Sequence, residues 1–365
     1  MSVQIQIIPR KCLIGFTALC QLLIISAASN GQDSSSRNWS VFAGTGKADS
    51  PIAVEDSDPK SVALRNVYGI EVTSHAIYFS TVDDHSIWKC DHDGTSIRRI
   101  AGTGQQGFSG DGGPANQATF NAPHEIRVDV AGNIFVADTR NHCIRRIDSA
   151  SGIIETLAGD GVAGFRGDGG PGNLARFDQP HSIVLDGAGG VLVADTKNHR
   201  LRRIDLESRL VTTVSGNGQP KLPTEGQPAA SVSLFGPRSL AIDENAIWLV
   251  LREGNSVWRI DRSTDAIRRI AGTGKQGHSG DGEDPLSATF RGPKGISVDS
   301  LGNLLIVDTE NHAMRYVDLK RNRIETMAID FKMKRPHGTA VLVRPGKNDV
   351  YFVSDSENHR VLAGK

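Results

Sequence analysis

Six residues that could bind a metal ion or an anion recur along the chain, and five of them directly follow a proline. They are Tyr68, His124, His181, Arg238, Lys294 and His337. Imidazole nitrogen is a common zinc ligand, whereas guanidinium and ammonium groups bind carboxylates and phosphates. The set therefore allows metal chemistry or anion binding, and the elements that carry these residues decide whether they meet.

Each of these residues lies near the start of a repeating unit of sequence. The clearest copy is Phe120–Asp148, FNAPHEIRVDVAGNIFVADTRNHCIRRID, and similar copies occupy Phe177–Asp205 and Phe290–Asp318. In the first copy two alternating apolar runs flank a Gly-Asn turn, and a polar Asp-Thr-x-Asn-His turn leads into a third run, which predicts three antiparallel strands. Degenerate copies end at Asp91 and Asp261, so the ends of successive copies are 56 or 57 residues apart. A repeat of this length with several strands per unit is typical of a propeller blade.

The number of opening strands sets the number of blades at six, so the sequence predicts an all-β, six-bladed β-propeller. A segment such as Ile100–Gly104 ends most units and is interpreted as a fourth, outer strand. Trp39–Phe42 and the Ala-Gly-Thr-Gly after it match this outer strand without its first three, whereas residues 335–365 lack an outer strand. We therefore expect the N-terminal strand to complete the last blade and close the ring, which removes two open edges.

The repeated unit has a family resemblance. GNIFVADTRNHCIRRID at 132–148 and its copies resemble NHL repeats, and the GDGG connectors and the Asp-Thr-x-Asn-His turn resemble those of secreted bacterial NHL-repeat proteins. The resemblance implies the propeller fold for nearly all of the mature chain. NHL propellers serve as protein-binding platforms, RNA binders, sensor domains and, in one branch, an amidating lyase, so the fold does not decide the function.

The first residues are typical of a secretory signal peptide. Arg10 and Lys11 precede an apolar run, Cys12–Ala28, that ends in small residues. The predicted organisation is a signal peptide at 1–28, a linker at 29–38 and the propeller at 39–365. This implies a secreted or periplasmic protein with no membrane span after signal removal. A retained membrane anchor is the alternative, although the run is short for a span.

The charge balance argues against partners that are recognised by bulk charge. The chain has 41 Lys and Arg residues and 41 Asp and Glu residues, so its net charge is zero. Nucleic acids and anionic membranes attract basic domains, and bases also need aromatic side chains to stack on, which are scarce here. We therefore expect no nucleic-acid partner.

The predicted topology brings the six residues to one end of the central channel. The first strand of each blade starts at this end, and the turn between the second and third strands returns to it. Arg238 and Lys294 are neighbours in the ring, and His124 and His181 also offer donors. Such a ring predicts a site for a carboxylate, a phosphate or an acidic side chain.

Blade four departs from the repeat. It lacks the GDGG connector and has Trp248, Arg252 and Trp258 where other blades carry the repeat consensus. Departures from a repeat's own rule often mark function, so Arg252 is predicted to join the ring as a contact residue; simple drift is the alternative.

The resemblance also suggests a metal alternative. The amidating lyase of the family binds zinc through three histidines in Pro-His-x contexts around its channel, and His124, His181 and His337 match that local motif. Their placement departs from it, because they sit on blades two, three and six rather than on alternate blades. Arg238 and Lys294 in the same ring would also repel a cation, so no metal is favoured and zinc stays the alternative.

Two other repeated features are interpreted as structural. The connectors of the GDGG type each contain one aspartate that could bind calcium: Asp111, Asp168 and Asp281. Calcium needs six to eight oxygen ligands, and one Asp per loop does not provide them. The Asp, Asn and His of the Asp-Thr-x-Asn-His turn recur in every good copy. A catalytic residue is needed once, so we expect these residues to hold the turn.

The sequence thus predicts a non-catalytic binding or scaffold module for an extracellular protein or a small anionic ligand, with no catalytic residue and no cofactor assigned. The chain carries no G-x-S-x-G, no H-E-x-x-H and no phosphate loop. The alternative is a metal-dependent propeller enzyme, similar to an amidating lyase or a lactonase, that uses the channel histidines with zinc or calcium. A purely structural extracellular protein is a third possibility.

Overall fold

The structure is a computed structural model that describes residues 37–49 and 56–365. The predicted signal peptide and most of the predicted linker lie outside the described residues. Within the described part of the chain, no helix is long and apolar enough to cross a membrane.

The described residues form six antiparallel sheets, one for each blade. In chain order the strands are β1 (Trp39–Ala43), β2 (Val67–Val72), β3 (Ile77–Thr81), β4 (Ser86–Cys90), β5 (Ile97–Ala101), β6 (Pro123–Val128), β7 (Ile134–Asp138), β8 (Cys143–Ile147), β9 (Ile154–Ala158), β10 (Gly170–Pro171), β11 (Pro180–Leu185), β12 (Gly190–Asp195), β13 (Arg200–Asp205), β14 (Leu210–Ser215), β15 (Pro237–Ile242), β16 (Ala246–Leu251), β17 (Ser256–Asp261), β18 (Ile267–Ala271), β19 (Gly295–Val298), β20 (Leu304–Asp308), β21 (Ala313–Asp318), β22 (Arg323–Thr326), β23 (Thr339–Leu342), β24 (Val350–Asp355) and β25 (Arg360–Gly364). The predicted all-β, six-bladed propeller is confirmed.

The blades follow one another along the chain. Blades one to five contain β2–β5, β6–β9, β10–β14, β15–β18 and β19–β22, and blade six contains β23–β25 together with β1. Short 3-10 helices lie in the connectors and in the turns after second strands. They are Pro59–Ser61, Ala115–Gln117, Thr139–Asn141, Gly172–Leu174, Thr196–Asn198, Ala229–Ser231, Pro285–Ser287, Thr309–Asn311 and Ser356–Asn358.

Second strands are buried on both faces because each blade packs between two others. Every residue of β7, IFVAD, is buried. Successive side chains of a strand point to opposite faces, and here the two faces meet different blades. Val136 joins a cluster with Ile87 of blade one, whereas Phe135 joins a cluster with Val191 of blade three. The core is therefore a ring of inter-blade clusters around the channel.

The first described strand closes this ring, as predicted. β1 pairs antiparallel with β25, with Trp39 opposite Gly364 and Val41 opposite Leu362. Phe42 packs edge-on against Phe352 of blade six at 5.2 Å and against Phe79 of blade one at 6.4 Å between ring centroids. The strand thus joins both sides of the closing interface.

The Asp-Thr-x-Asn-His turn, here called the repeated turn, ties the blades that contain it to their neighbours. In blade two the Asp138 carboxylate accepts the backbone N–H of Asn121 at 2.8 Å and the amide of Asn141 at 2.8 Å. The Thr139 hydroxyl donates to the Pro180 carbonyl at 2.7 Å, and the Gln179 N–H donates to His142 Nδ1 at 3.2 Å. Both of the latter bonds cross to blade three, and these contacts agree with the structural role predicted for the turn.

A buried arginine forms ion pairs with the repeated turn and with the connector before it. The Arg145 side chain is fully buried between Asp138, at 3.4 Å, and the connector residue Asp111, at 2.6 Å. Arg202 and Arg315 make the same pairs with Asp168 and Asp281. The three connector aspartates considered for calcium are therefore ion-pair partners of buried guanidinium groups.

Candidate functional site

The six predicted ring residues line one cavity of about 200 Å³ at the channel mouth. Each lies at the start of an innermost strand or just before it, where the blade-opening segments converge. Arg252 of blade four lines the same cavity, as predicted. We call this the ring cavity. The sequence therefore located the residues correctly, although their use as a ligand site remains a prediction.

Aromatic rings form one side of the ring cavity. Tyr68 stacks on His337 with 3.7 Å between ring centroids and 14° between planes. Its other side meets His124 edge-on at 4.7 Å, and His124 in turn meets His181 at 4.7 Å. These contacts run across the closing interface from blade six to blade three, so the closed ring fixes their geometry.

The other side of the ring cavity is basic, and Arg238 is its least compensated charge. The residue is only 7% exposed, yet within the described part of the chain no hydrogen bond or ion pair satisfies its guanidinium group. Burial lowers the pKa of Arg238 to about 10. Burying a charge without a partner is costly, so this guanidinium is ready to accept an anion.

Lys294 lies beside Arg238 in the ring order and is partly compensated. Its ammonium contacts the Glu310 carboxylate at 2.9 Å and His337 Nε2 at 3.3 Å. Arg335 also donates to both oxygens of Glu310, at 2.9 and 3.1 Å. Burial and the nearby Arg238 charge lower the pKa of Lys294 to about 7, although Glu310 opposes them.

The three histidines are held in the neutral form. Burial lowers the pKa of His124, His181 and His337 well below the usual value, and nearby cations lower it further. Each uses Nδ1 locally. His124 bonds the Ala122 carbonyl at 2.8 Å, His181 the Thr196 hydroxyl at 2.8 Å, and His337 the Arg335 carbonyl at 2.9 Å. A carbonyl accepts, so Nδ1 carries the proton of His124 and His337 and Nε2 has the lone pair.

This geometry does not suit the three-histidine zinc site of the alternative prediction. Nε2 of His337 already accepts from the Lys294 ammonium, and Arg238 would face any bound cation. Among the described residues no group of three His, Cys, Asp or Glu side chains is placed to hold a metal ion. The residues present therefore fit an anion better than zinc.

Sequence reasoning missed the acidic side chains of the site. Glu253 and Glu310 occupy the variable position x of the repeated turn, where other blades have residues such as Arg140 or Lys197. Glu253 pairs with Arg252 at 2.7 Å. The signal was available, because position x varies from blade to blade in the sequence and is acidic at both of these residues.

Comparison with known proteins identifies the repeat. Three segments, 120–147, 177–204 and 290–315, match the family described as NHL repeat. NHL repeat-containing protein 2 of Gallus gallus is 26% identical over 66% of this chain and 38% of that protein. The probable peptidyl-alpha-hydroxyglycine alpha-amidating lyase pgal-1 of Caenorhabditis elegans is 23% identical over 67% of this chain and 63% of that protein. The chain thus spans well under half of the chicken relative.

Solved structures share the fold. An auxiliary nutrient binding protein from Bacteroides thetaiotaomicron superposes with a TM-score of 0.64 and 10% sequence identity, over 90% of this chain and 77% of that one. At this identity the likeness concerns the fold alone.

Proposed function

This chain is an NHL-repeat β-propeller, and from that premise we propose that it is a binding module whose ligand places an anionic group in the ring cavity. The observation that carries the proposal is the buried Arg238 guanidinium, which lacks a partner among the described residues and lines the cavity. A carboxylate or phosphate there would form charge-assisted hydrogen bonds.

The neighbours of Arg238 support an anion. Lys294 has a pKa of about 7, so an incoming negative charge would favour its protonated form and gain a second donor. Donor N–H groups of the ring face the cavity from the basic side, and the aromatic side offers apolar contact. Glu310 is already occupied by Lys294 and Arg335, so it would repel an anion less than a free carboxylate.

The size of the cavity limits what enters it. About 200 Å³ is smaller than a typical pocket for a drug-sized ligand. The ring cavity would therefore hold a small anion or the acidic end of a larger ligand, including an acidic side chain of a protein partner.

We also propose that the protein works outside the cytosol, in a secreted or periplasmic location. The support is the basic and then apolar pattern of residues 1–28. Fusion of this segment to a reporter enzyme that is active only after export tests the proposal, since an inactive reporter would contradict it.

Calorimetric titration with acetate and with inorganic phosphate at fixed ionic strength tests the binding function. We expect saturable binding to the natural protein and at least a tenfold loss of affinity in Arg238→Gln. Arg259→Gln is the matched control, because Arg259 is paired with Asp261 at 2.8 Å and does not line the ring cavity. Equal affinity in all three proteins, or no binding to any of them, would overturn the proposal.

A further inference from the structure

A second cavity opens beside the ring cavity, above blades four and five. Its volume is about 530 Å³, and Arg252 and Glu253 line both cavities. We call it the side pocket. Because two residues form a common wall, a ligand anchored in the ring cavity has a direct route into the side pocket.

The side pocket is also basic. Arg252, Arg291 and Arg335 line it, together with two carboxylates, Glu253 and Glu310. Arg335 forms ion pairs with Glu310 at 2.9 Å and with Glu357 at 3.0 Å, and Arg252 forms an ion pair with Glu253. Arg291 is the exception, because its exposed guanidinium has no partner within the described residues.

A second donor lies in the same pocket. His312 lines it, and its Nδ1 accepts the backbone N–H of Arg335 at 2.9 Å. An Nδ1 that accepts has no proton in the neutral ring, so Nε2 carries the hydrogen and is a donor. The side pocket therefore offers a free guanidinium and an imidazole N–H, which together suit a carboxylate.

Local sequence explains why the side pocket is open at blade five. The residue before the blade-opening proline has a positive φ in several blades, for example Gln179, Gly292 and Arg335. Blade five has Gly292, at φ +54°, and it lines the side pocket. A Cβ atom there would lie 2.9 Å from Glu310 Cγ, so glycine keeps this wall free of a side chain.

We propose that the ligand is a dicarboxylate, with one carboxylate held by Arg238 and Lys294 in the ring cavity and the other by Arg291 in the side pocket. The inference rests on the proposed anion-binding function and adds the ligand class. Two free guanidinium groups, one in each of two adjoining cavities, are better satisfied by one molecule with two charges than by a single anion. A link between two sites raises affinity because the second contact is intramolecular.

A chain-length series tests the inference. Affinities are measured by calorimetry for two monocarboxylates, acetate and propionate, and for four dicarboxylates, malonate, succinate, glutarate and adipate. The ionic strength is held constant because salt screens charge contacts. We expect at least one dicarboxylate to bind at least tenfold more tightly than the monocarboxylates. Arg291→Gln should remove the gain of the dicarboxylates over the monocarboxylates, whereas Arg238→Gln should weaken the binding of both classes.

Arg268→Gln is the matched control, since Arg268 is also exposed and without a partner within the described residues but lies outside both cavities. If dicarboxylates bind no better than acetate while Arg238→Gln still abolishes binding, the dicarboxylate inference is wrong and the anion site stands. If no carboxylate binds the natural protein, both proposals fail.

Discussion

The repeated turn of blade three and its counterpart in blade four occupy the same place in the fold but use opposite chemistry. In blade three Arg202 is fully buried, 3.5 Å from Asp195 and 3.2 Å from Asp168. In blade four Leu251 takes the position of Asp195 and Trp258 takes the position of Arg202, and both side chains are buried. The Trp258 indole N–H is satisfied by the Ser256 hydroxyl at 2.9 Å.

The same comparison extends to the residue that faces the next blade. The Thr196 hydroxyl donates to the Pro237 carbonyl at 2.6 Å and joins blade three to blade four. Blade four has Arg252 at this position, and that side chain lines both cavities. Packing between blades therefore requires buried, hydrogen-bonded side chains at this turn rather than one particular set of residues. In blade four the position that corresponds to Thr196 is occupied by Arg252, which brings a positive charge to both cavities.

The largest effect is expected where the polar network is broken in blade three. Arg202→Leu leaves Asp195 buried without its cation, and we expect the free energy of unfolding to fall by about 3–5 kcal/mol. Urea unfolding followed by tryptophan fluorescence measures this loss. A change below about 1 kcal/mol would contradict the view that the pair supports the turn.

A double change sharpens the same comparison. Asp195→Leu with Arg202→Trp installs the blade-four combination in blade three and leaves no buried charge in the pair. We expect the double variant to be more stable than Arg202→Leu, because removing both partners avoids an unpaired ion. A double variant less stable than the single one would show that blade four depends on more than this exchange.

The next effect concerns pH and the ring cavity. Lys294 has a pKa of about 7, and bound acetate should raise it, so affinity is highest below pH 7 and falls as pH rises above it. The decline is at most about tenfold per pH unit for one linked proton. Calorimetry between pH 6 and 9 measures it.

Other groups near the cavity should not mimic this dependence. The ring histidines have lowered pKa values, Glu310 has its pKa lowered to about 2 by Arg335 and Lys294, and the pKa of Tyr68 is raised by burial. Lys294→Met should therefore bind acetate more weakly and with little change from pH 7 to 9. An unchanged pH profile in this variant would assign the dependence to another residue.

A smaller effect is expected on stability at Arg238. Arg238→Met removes a buried charge without a partner, so we expect unfolding to require about 1 kcal/mol more, with anion binding lost. Arg259→Met, which removes a paired and partly exposed cation, should give no such gain. Thermal unfolding without ligand compares the two variants.

The smallest effect is expected from metal removal. The ring suits an anion better than zinc, so dialysis against a chelator should change neither the melting temperature nor the acetate affinity. Elemental mass spectrometry of the untreated protein gives the control. About one zinc per chain that is lost in a protein with His124→Ala, His181→Ala and His337→Ala would favour the metal-dependent enzyme instead.

The period of the sequence predicted the fold and the members of the ring because both depend on strand order. The six opening strands of a propeller converge on one channel. His124, Arg238 and Lys294 are therefore brought together by the fold, whatever the conformations of their side chains. The predicted closure through Trp39–Phe42 follows equally from an outer strand that lacks its own blade.

The pairing inside the site was not predictable from the period. Glu310 reaches Lys294 and Arg335 from the variable position of a turn, and the direction of that side chain depends on how two blades pack. Tyr68 stacks on His337 only because the first and last blades meet. The side pocket needs Gly292 at a positive φ, which a proline-based motif does not reveal.

Closure by β1 sets the order of events during synthesis. Arg37, just before this strand, bonds the backbone of Asp349, 312 residues later in the chain. At about 5–20 residues per second, translation separates the two by roughly 15–60 s. The ring therefore cannot be completed before β25 has been synthesised, and until then the first strand has an unpaired edge that a chaperone or a neighbouring nascent chain could occupy.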